Sequence, residues 1–419
     1  MAIHKKIKLV TFAPNLNFGT CLQSYALNFV LKKMGHEVEF IYNGRENPPI
    51  SLCRRMRLHL KTLLSNFTDK RSYCNVSNSD NSGGGEPYVL SLPDEKLFGF
   101  FCKFQLFRRL YDRLKYRTPR MKKVYKFAFK DGNFNMRRLY SRRDYENVVE
   151  DADLFITGSD QIWNPYCGGF NPMMFLEFAG KKKRVAYSSS IVLKSFPKSV
   201  ERRAKDDLSK FLHIGVRERS SVAYLNELLE RSDVRLVVDP TCLLSKDEWA
   251  DFASRSDMGA DFSSPYIFCY FVGSRLEDYR NAIADVRARS GVKKIVTLSC
   301  YGNRSFFRGA VEVNDAGPYE FVNLLSHASR VCTDSFHATM FALKFGVDFV
   351  HILKNKSDVD SASQNGRMYD ILKRYGLLYK LYDKDSDSWL NPIDFGKVES
   401  SMSAEIFESL KFLEMEISE

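Results

Sequence analysis

The chain has 419 residues, 44% of them hydrophobic and 14% aromatic, with a formal net charge of +12. That length exceeds one ordinary core and points to two domains, and the composition excludes a disordered or fibrous protein. No apolar run reaches the roughly 18 residues of a transmembrane helix. The start, MAIHKKIKLVTFAPN, lacks the apolar stretch and cleavage site of a signal peptide. Nine cysteines are scattered without CxxC spacing, which fits reduced thiols in a cytoplasm and argues against a cysteine zinc site. The charge is concentrated: residues 101–130 hold 11 Lys or Arg and one Asp, a balance of +10. A pI near 9.1 raises nucleic-acid binding as a reading, but one basic segment is better treated as a local device.

Strand and helix signals alternate along the chain. IKLVTFA (7–13) reads as a buried strand, PNLNFGT as a turn-rich loop, LQSYALNFVLKKMG as a helix closed by Gly35, and HEVEFIYN as a second strand. Residues 44–150 interrupt this rhythm. They read as an insertion carrying helices, with a linker-like SNSDNSGGGEP at 77–87. Alternation resumes with strands at DLFIT (153–157), RVAYSSS (184–190), HIGVR and VRLVVD, separated by helices, until Asp239-Pro240 breaks the pattern. A second series follows: PYIFCYFV, KKIVTLS, RVCT and DFVHIL as strands, with SRLEDYRNAIADVRARSG, PYEFVNLLSHAS and SFHATMFALKFG as helices. The expected fold is α/β, two Rossmann-like parallel-sheet domains facing a central cleft, over 1–240 and 241–395. The last helix, 396–419, packs back across them.

In such folds chemistry collects after the carboxyl ends of strands. After the first strand come Asn15, Asn17 and Gly19, then Gln23 on the helix: small polar groups for hydroxyl or anion contacts, or an ordinary turn and cap. After DLFIT come Asp160, Gln161 and Trp163. A carboxylate, an amide and an indole suit a sugar site, where the ring stacks on the sugar's CH face; a capping turn with Trp163 in the core is the alternative. Arg217 ends the strand HIGVR, where a buried guanidinium needs a partner, either an anionic ligand or a carboxylate such as Glu218. In VCTDSFHATMFALKFG (331–346), Thr333 or Asp334 is expected to cap the helix, with Ser335 in its first turn and His337 near the third helical position. An anion binds there only if Asp334 leaves the helix N–H groups free. GxGxxG, GxxxxGK[ST], HExxH and GxSxG are absent, which weakens dinucleotide, P-loop and serine-hydrolase readings.

The stretches NFGTCLQSYAL (17–27), DLFITGSDQIWNP (153–165), VAYSSS (185–190), VRERSS (216–221), VVDPTCLL (237–244), VCTDSFHATMFAL (331–343) and NGRMYDILKRYGL (365–377) together resemble the polysaccharide pyruvyl transferase family. The resemblance runs from about residue 7 to 380, outside 44–150. It implies a GT-B-like architecture and transfer of pyruvate from phosphoenolpyruvate onto two hydroxyls of a sugar, forming a cyclic ketal and releasing phosphate. It implies no cofactor and no metal. It places the donor at Arg217, Ser335, His337 and Arg367, the acceptor at Asn17, Gln23, Asp160, Gln161 and Trp163, and the acid and base on His337 and Asp160. The family commonly has Gly after the motif histidine, where this chain has Ala338.

A lipid-linked acceptor at the inner face of the membrane, with 101–130 lying on anionic lipid, completes the expectation of a cytoplasmic, peripheral enzyme that binds no nucleic acid. Three rivals stand beside it. One is a GT-B-like glycosyltransferase using a nucleotide sugar, the second is a nucleic-acid-binding protein built around its basic segment, and the third is a family member that has lost activity and serves as a scaffold.

Overall fold

A computed structural model describes residues 4–43 and 118–418, apart from 140, 168, 259–261, 263, 274, 300–306 and 355–364. The linker-like 77–87 and the basic stretch up to residue 117 lie outside the described residues.

Two all-parallel sheets form the scaffold. The first has seven strands: β1 (Lys6–Val10), β2 (Glu37–Asn43), β3 (Met136–Leu139), β4 (Leu154–Thr157), β5 (Lys183–Ser189), β6 (His213–Val216) and β7 (Arg235–Leu236), in the spatial order β3-β2-β1-β4-β5-β6-β7. The second has five: β8 (Tyr266–Phe271), β9 (Lys294–Ser299), β10 (Val311–Glu312), β11 (Arg330–Thr333) and β12 (Phe349–His351), in the order β10-β9-β8-β11-β12. Each order reverses once, at β1/β4 and at β8/β11. A crevice opens at such a reversal because the crossover helices diverge to opposite faces. β3 falls inside the stretch read as an insertion; it continues the first sheet at its edge, pairing with β2.

The crossovers are helices; some are amphipathic, whereas the two that flank the site, Phe18–Lys33 and Phe336–Phe345, are buried on nearly every side. Those used below are α1 (Phe18–Lys33), α2 (Pro119–Phe129), α3 (Arg142–Asp151), α4 (Lys198–Leu208), α5 (Arg219–Leu229), α6 (Pro240–Leu243), α7 (Lys246–Ala253), α8 (Leu276–Ser290), α9 (Pro318–Ser326), α10 (Phe336–Phe345), α11 (Gly366–Arg374) and α12 (Phe395–Ser418). Local sequence sets their ends. Thr118 caps α2 with Pro119 at its first position, Ser141 with Asp144 and Ser245 with Glu248 form capping boxes on α3 and α7, and Gly346 ends α10 at φ 71°. Among the described residues no helix is long and apolar enough to cross a membrane.

The main apolar core runs through both halves. It joins Leu9, Phe18, Leu22 and Tyr25 of the first to Trp249, Phe252, Tyr270 and Phe321 of the second. The ring of Phe18 lies 5.6 Å from Phe321 and 6.2 Å from Tyr270, and Tyr25 lies 4.8 Å from Phe252, centroid to centroid. α12 leaves the second sheet and returns to the first, where the Ser409 hydroxyl accepts from Val238 N–H at 3.0 Å and Phe412 packs near Tyr187.

Candidate active site

The reversal of the first sheet supplies one wall. β1 hands over to α1 through Asn15 and Asn17, and β4 hands over to Gly158-Ser159-Asp160. Asp160 has φ 71°, in the left-handed region that L residues seldom adopt. Its loop is tied to the end of β5, since Ser190 N–H donates to Asp160 O at 3.0 Å, and Thr20 Oγ1 donates to Asp160 Oδ2 at 3.0 Å. Arg217 follows β6, and Asp239 follows β7 as the N-cap of α6.

The second sheet supplies His337. α10 begins one residue later than the sequence suggested. Ser335 is its N-cap, accepting from Ala338 N–H at 3.4 Å, so His337 is the second helical residue. Asp334 does not cap, because its carboxylate accepts from Val272 N–H (2.7 Å), Gly273 N–H (2.8 Å) and the Tyr279 hydroxyl (2.6 Å). The first turn of α10 therefore keeps N–H groups that Asp334 does not occupy.

These elements meet around Arg217, which is 2% exposed. Its Nη1 donates to Asp239 Oδ2 at 2.9 Å and its Nε to Glu218 Oε1 at 3.2 Å, while Nη2 sits 3.7 Å from Asp160 Oδ1. Its guanidinium stacks 4.3 Å from the Phe336 ring centroid. The carboxylate alternative for Arg217 is thus realised, yet the buried Nη2 has no hydrogen-bond partner among the described residues. Asp239, also 2% exposed, accepts from Ser159 Oγ (3.2 Å), Thr241 Oγ1 (2.7 Å) and Thr241 N–H (3.0 Å), and lies 3.4 Å from His337 Nε2. Burial would raise its carboxyl, but His337 and Arg217 outweigh burial and hold it far below the usual carboxylate range. Asp160 behaves the same way: burial raises it, and the charges of His337, Arg217 and Arg367 bring it below the ordinary value.

Gly19 completes the contact between the domains. A Cβ there would stand 2.3 Å from His337 Nδ1, so the first turns of α1 and α10 touch at a spot where only a glycine fits. Arg367 reaches the same ring from α11, its guanidinium 5.9 Å from the Phe336 centroid.

Several expected residues play other parts. Gln23 is 0% exposed. Its Nε2 donates to Thr11 Oγ1 and Thr20 O at 3.1 Å each, and its Oε1 accepts from Ser159 N–H at 3.2 Å, so it fixes the loop that carries Asp160. Trp163 is 1% exposed, its Nε1 donates to Met174 O at 3.1 Å, and its ring stacks 5.8 Å from Phe175. No face of it is open to a sugar, and the core alternative is the one observed. Ser335 uses its oxygen as the cap. Gln161 is partly exposed and accepts from Asn164 Nδ2 at 3.0 Å. Asn17 Oδ1 is buried with no hydrogen-bond partner at the N-terminus of α1. Ala338 is fully buried against the core, its methyl turned away from solvent. Among the described residues no group of His, Cys, Asp and Glu is arranged to hold a metal ion.

The sequence profile of the polysaccharide pyruvyl transferase family matches residues 17–355, most of the chain, and so spans every element of this cluster except Arg367. The chain belongs to the polysaccharide pyruvyl transferase family. No curated protein sequence is significantly similar to it. Among solved structures it is similar to the UDP-GlcNAc 2-epimerase of Neisseria meningitidis bound to UDP-GlcNAc (10% identity, 97% of this chain and 100% of that chain, TM-score 0.46). It is also similar to Arabidopsis thaliana UGT89C1 complexed with quercetin (10% identity, 100% of each chain, TM-score 0.46). A third is the SsfS6 glycosyltransferase of Streptomyces sp. SF2575 (12% identity, 97% and 96%, TM-score 0.39).

Proposed function

We propose that the enzyme transfers the pyruvyl group of phosphoenolpyruvate onto two hydroxyls of a sugar in a polysaccharide precursor, forming a cyclic ketal and releasing phosphate. The observation that carries this reading is the meeting of Arg217 Nη2 and His337 Nε2, two buried polar atoms without hydrogen-bond partners, from opposite domains beside the carboxylates of Asp160 and Asp239.

Phosphoenolpyruvate carries a carboxylate and a phosphate, and it meets Arg217, Arg367 and the N-terminus of α10. In the first step a sugar hydroxyl adds to C2 of the enol. The new C–O bond draws on the C2–C3 π electrons, and C3 takes a proton. Asp160, held as a carboxylate, accepts the hydroxyl proton, and His337 delivers the proton to C3. In the second step the neighbouring hydroxyl attacks C2 and gives its proton to His337, the C2–O bond to phosphate breaks, and phosphate leaves with the electron pair and with the proton that Asp160 took in the first step. Asp239 stays ionised and orients both Arg217 and His337. The mechanism uses no cofactor.

A lipid-linked acceptor and a membrane-facing role for the basic segment 101–130 extend the proposal. Co-sedimentation with vesicles containing phosphatidylserine is expected to fall when those Lys and Arg residues are neutralised; unchanged pelleting removes the membrane role.

The direct test is thermal stability with phosphoenolpyruvate, with a nucleotide-sugar panel and with generic duplex DNA. A ligand at 100 times its Kd adds about 2.7 kcal/mol. Stabilisation by phosphoenolpyruvate that is lost in His337→Ala, together with loss of pyruvyl transfer in that variant by roughly 100-fold or more, supports the reading. Stabilisation by nucleotide sugars alone replaces it with glycosyl transfer.

A further inference from the structure

Arg367 is not the only polar residue that α11 brings toward the first domain. Arg367, Asp370 and Arg374 are spaced i, i+3 and i+7, which puts all three on one face of the helix, while Met368, Ile371 and Leu372 are buried. Arg374 ends α11 with its side chain 3% exposed. Its Nη2 donates to Asp370 Oδ2 at 2.7 Å, one turn earlier, and to Arg217 O at 3.3 Å in the first domain. The same Asp370 Oδ2 accepts from Arg219 N–H at 3.5 Å. Two side chains of α11 thus grip the peptide groups on either side of Glu218.

This grip fills a gap that the first domain leaves. Glu218 is the N-cap of α5, yet its side chain makes no cap bond. Its Oε1 instead accepts from Ser190 Oγ at 2.7 Å and from Arg217 Nε at 3.2 Å. The first turn of a helix carries N–H groups that need an acceptor, and here a carboxylate of the second domain meets one of them. Both contacts are charge-assisted, one through a guanidinium and one through a carboxylate, which is the stronger kind of hydrogen bond. Arg374 is backed in turn by α12. Its Nη1 donates to Glu405 Oε2 at 3.3 Å, and the Tyr375 hydroxyl donates to the same oxygen at 2.8 Å.

We propose that Asp370 and Arg374 are positioning residues: from the second domain they clamp the backbone of residues 217–219, and so set the Arg217 guanidinium against Arg367, which rides on the same helix as the clamp. The two guanidinium groups share one landmark, the Phe336 ring, at 4.3 Å and 5.9 Å from its centroid. An anion with two charged ends depends on that relative placement, because an anchor misplaced by about 1 Å loses its productive geometry. The inference rests on the pyruvyl-transfer reading only for the ligand that probes it, phosphoenolpyruvate.

The test pairs calorimetric titration of the full chain with crystal structures of its variants. Arg374→Met keeps an unbranched side chain and removes the donors. It is expected to weaken phosphoenolpyruvate binding about tenfold and to move the Arg217 guanidinium by about 1 Å or more. Asp370→Ala, at a partly exposed position, is expected to shift both in the same direction and covers the case of an Arg374→Met that fails to fold. Glu405→Gln weakens the support from α12 but leaves the donor to Arg217 O in place. It is expected to lower the thermal midpoint while phosphoenolpyruvate affinity stays within about twofold of the unmutated chain. An unmoved Arg217 in the folded α11 variants, or an affinity loss as large in Glu405→Gln as in Arg374→Met, overturns the clamp and assigns Arg374 to packing. Failure of the unmutated chain to bind phosphoenolpyruvate removes the proposed reaction instead, and the position of Arg217 in the variant structures then decides the clamp.

Discussion

Asp239 holds Arg217 at 2.9 Å and lies 3.4 Å from His337, so one buried carboxylate from the end of the first sheet meets side chains from both domains. An ion pair this enclosed gains little over an apolar pair, but removing one member leaves the other uncompensated. Asp239→Ala is expected to lower the unfolding free energy by about 3–5 kcal/mol, measured by urea denaturation. A loss below about 1 kcal/mol, as for an exposed pair, would show that Arg217 is not held by it.

Gly19→Ala tests the contact between α1 and α10. The new methyl has no room beside His337 Nδ1, so the imidazole must move. Misplacing a reacting group by about 1 Å costs on the order of 100-fold in turnover, while overpacking costs about 1–3 kcal/mol in stability. A folded Gly19→Ala enzyme with unimpaired turnover would place His337 outside the chemistry.

Trp163→Phe separates packing from recognition. The indole packs on Phe175 and bonds to Met174 O, so the variant loses volume and one buried hydrogen bond. The expected outcome is a lower thermal midpoint with the acceptor KM unchanged. A raised KM at unchanged stability would return Trp163 to the sugar site.

Acid sensitivity has an identifiable source at the amino ends of the strands. Buried Lys8 bridges Glu39 at 2.8 Å and Asp151 at 2.5 Å, and Lys6 bonds Asp151 at 2.9 Å. The hydrogen bonds from Lys8 and Lys6 bring the Asp151 carboxyl down to about 2. Its folded value lies below the unfolded one, so the unfolded chain binds the proton more readily. The stabilisation is complete above about pH 4 and is lost as pH falls toward 2. Asp151 is 40% exposed, so solvent screening keeps the effect small. Lys8→Met is expected to flatten the stability profile across that window, read by denaturant midpoints.

The strand-end logic singled out Arg217, Asp160 and His337, which the fold brings together, because parallel α/β sheets gather polar residues at those points and apolar runs mark the strand ends. It missed Asp239, because Asp-Pro is also an ordinary turn signal and nothing local marks the carboxylate as a shared partner. Gln23 and Trp163 carry the right chemistry for a sugar site; only burial shows that one fixes a loop and the other fills the core. The cap of α10 slipped by one residue because the partners of Asp334, Val272, Gly273 and Tyr279, lie some 60 positions away. β10, two residues long, is too short for any periodicity to register.

The shared core of Phe18, Tyr25, Trp249, Tyr270 and Phe321 bears on how the chain unfolds. Each sheet relies on apolar surface supplied by the other, and α12 laces them a second time. The halves are therefore not independent foldons. A fragment ending near residue 240 would expose the apolar flank of α1 to water and to its own kind. Calorimetry of the whole chain should give one cooperative transition rather than two, and the cleft should open by small shear between packed helices rather than by a free hinge.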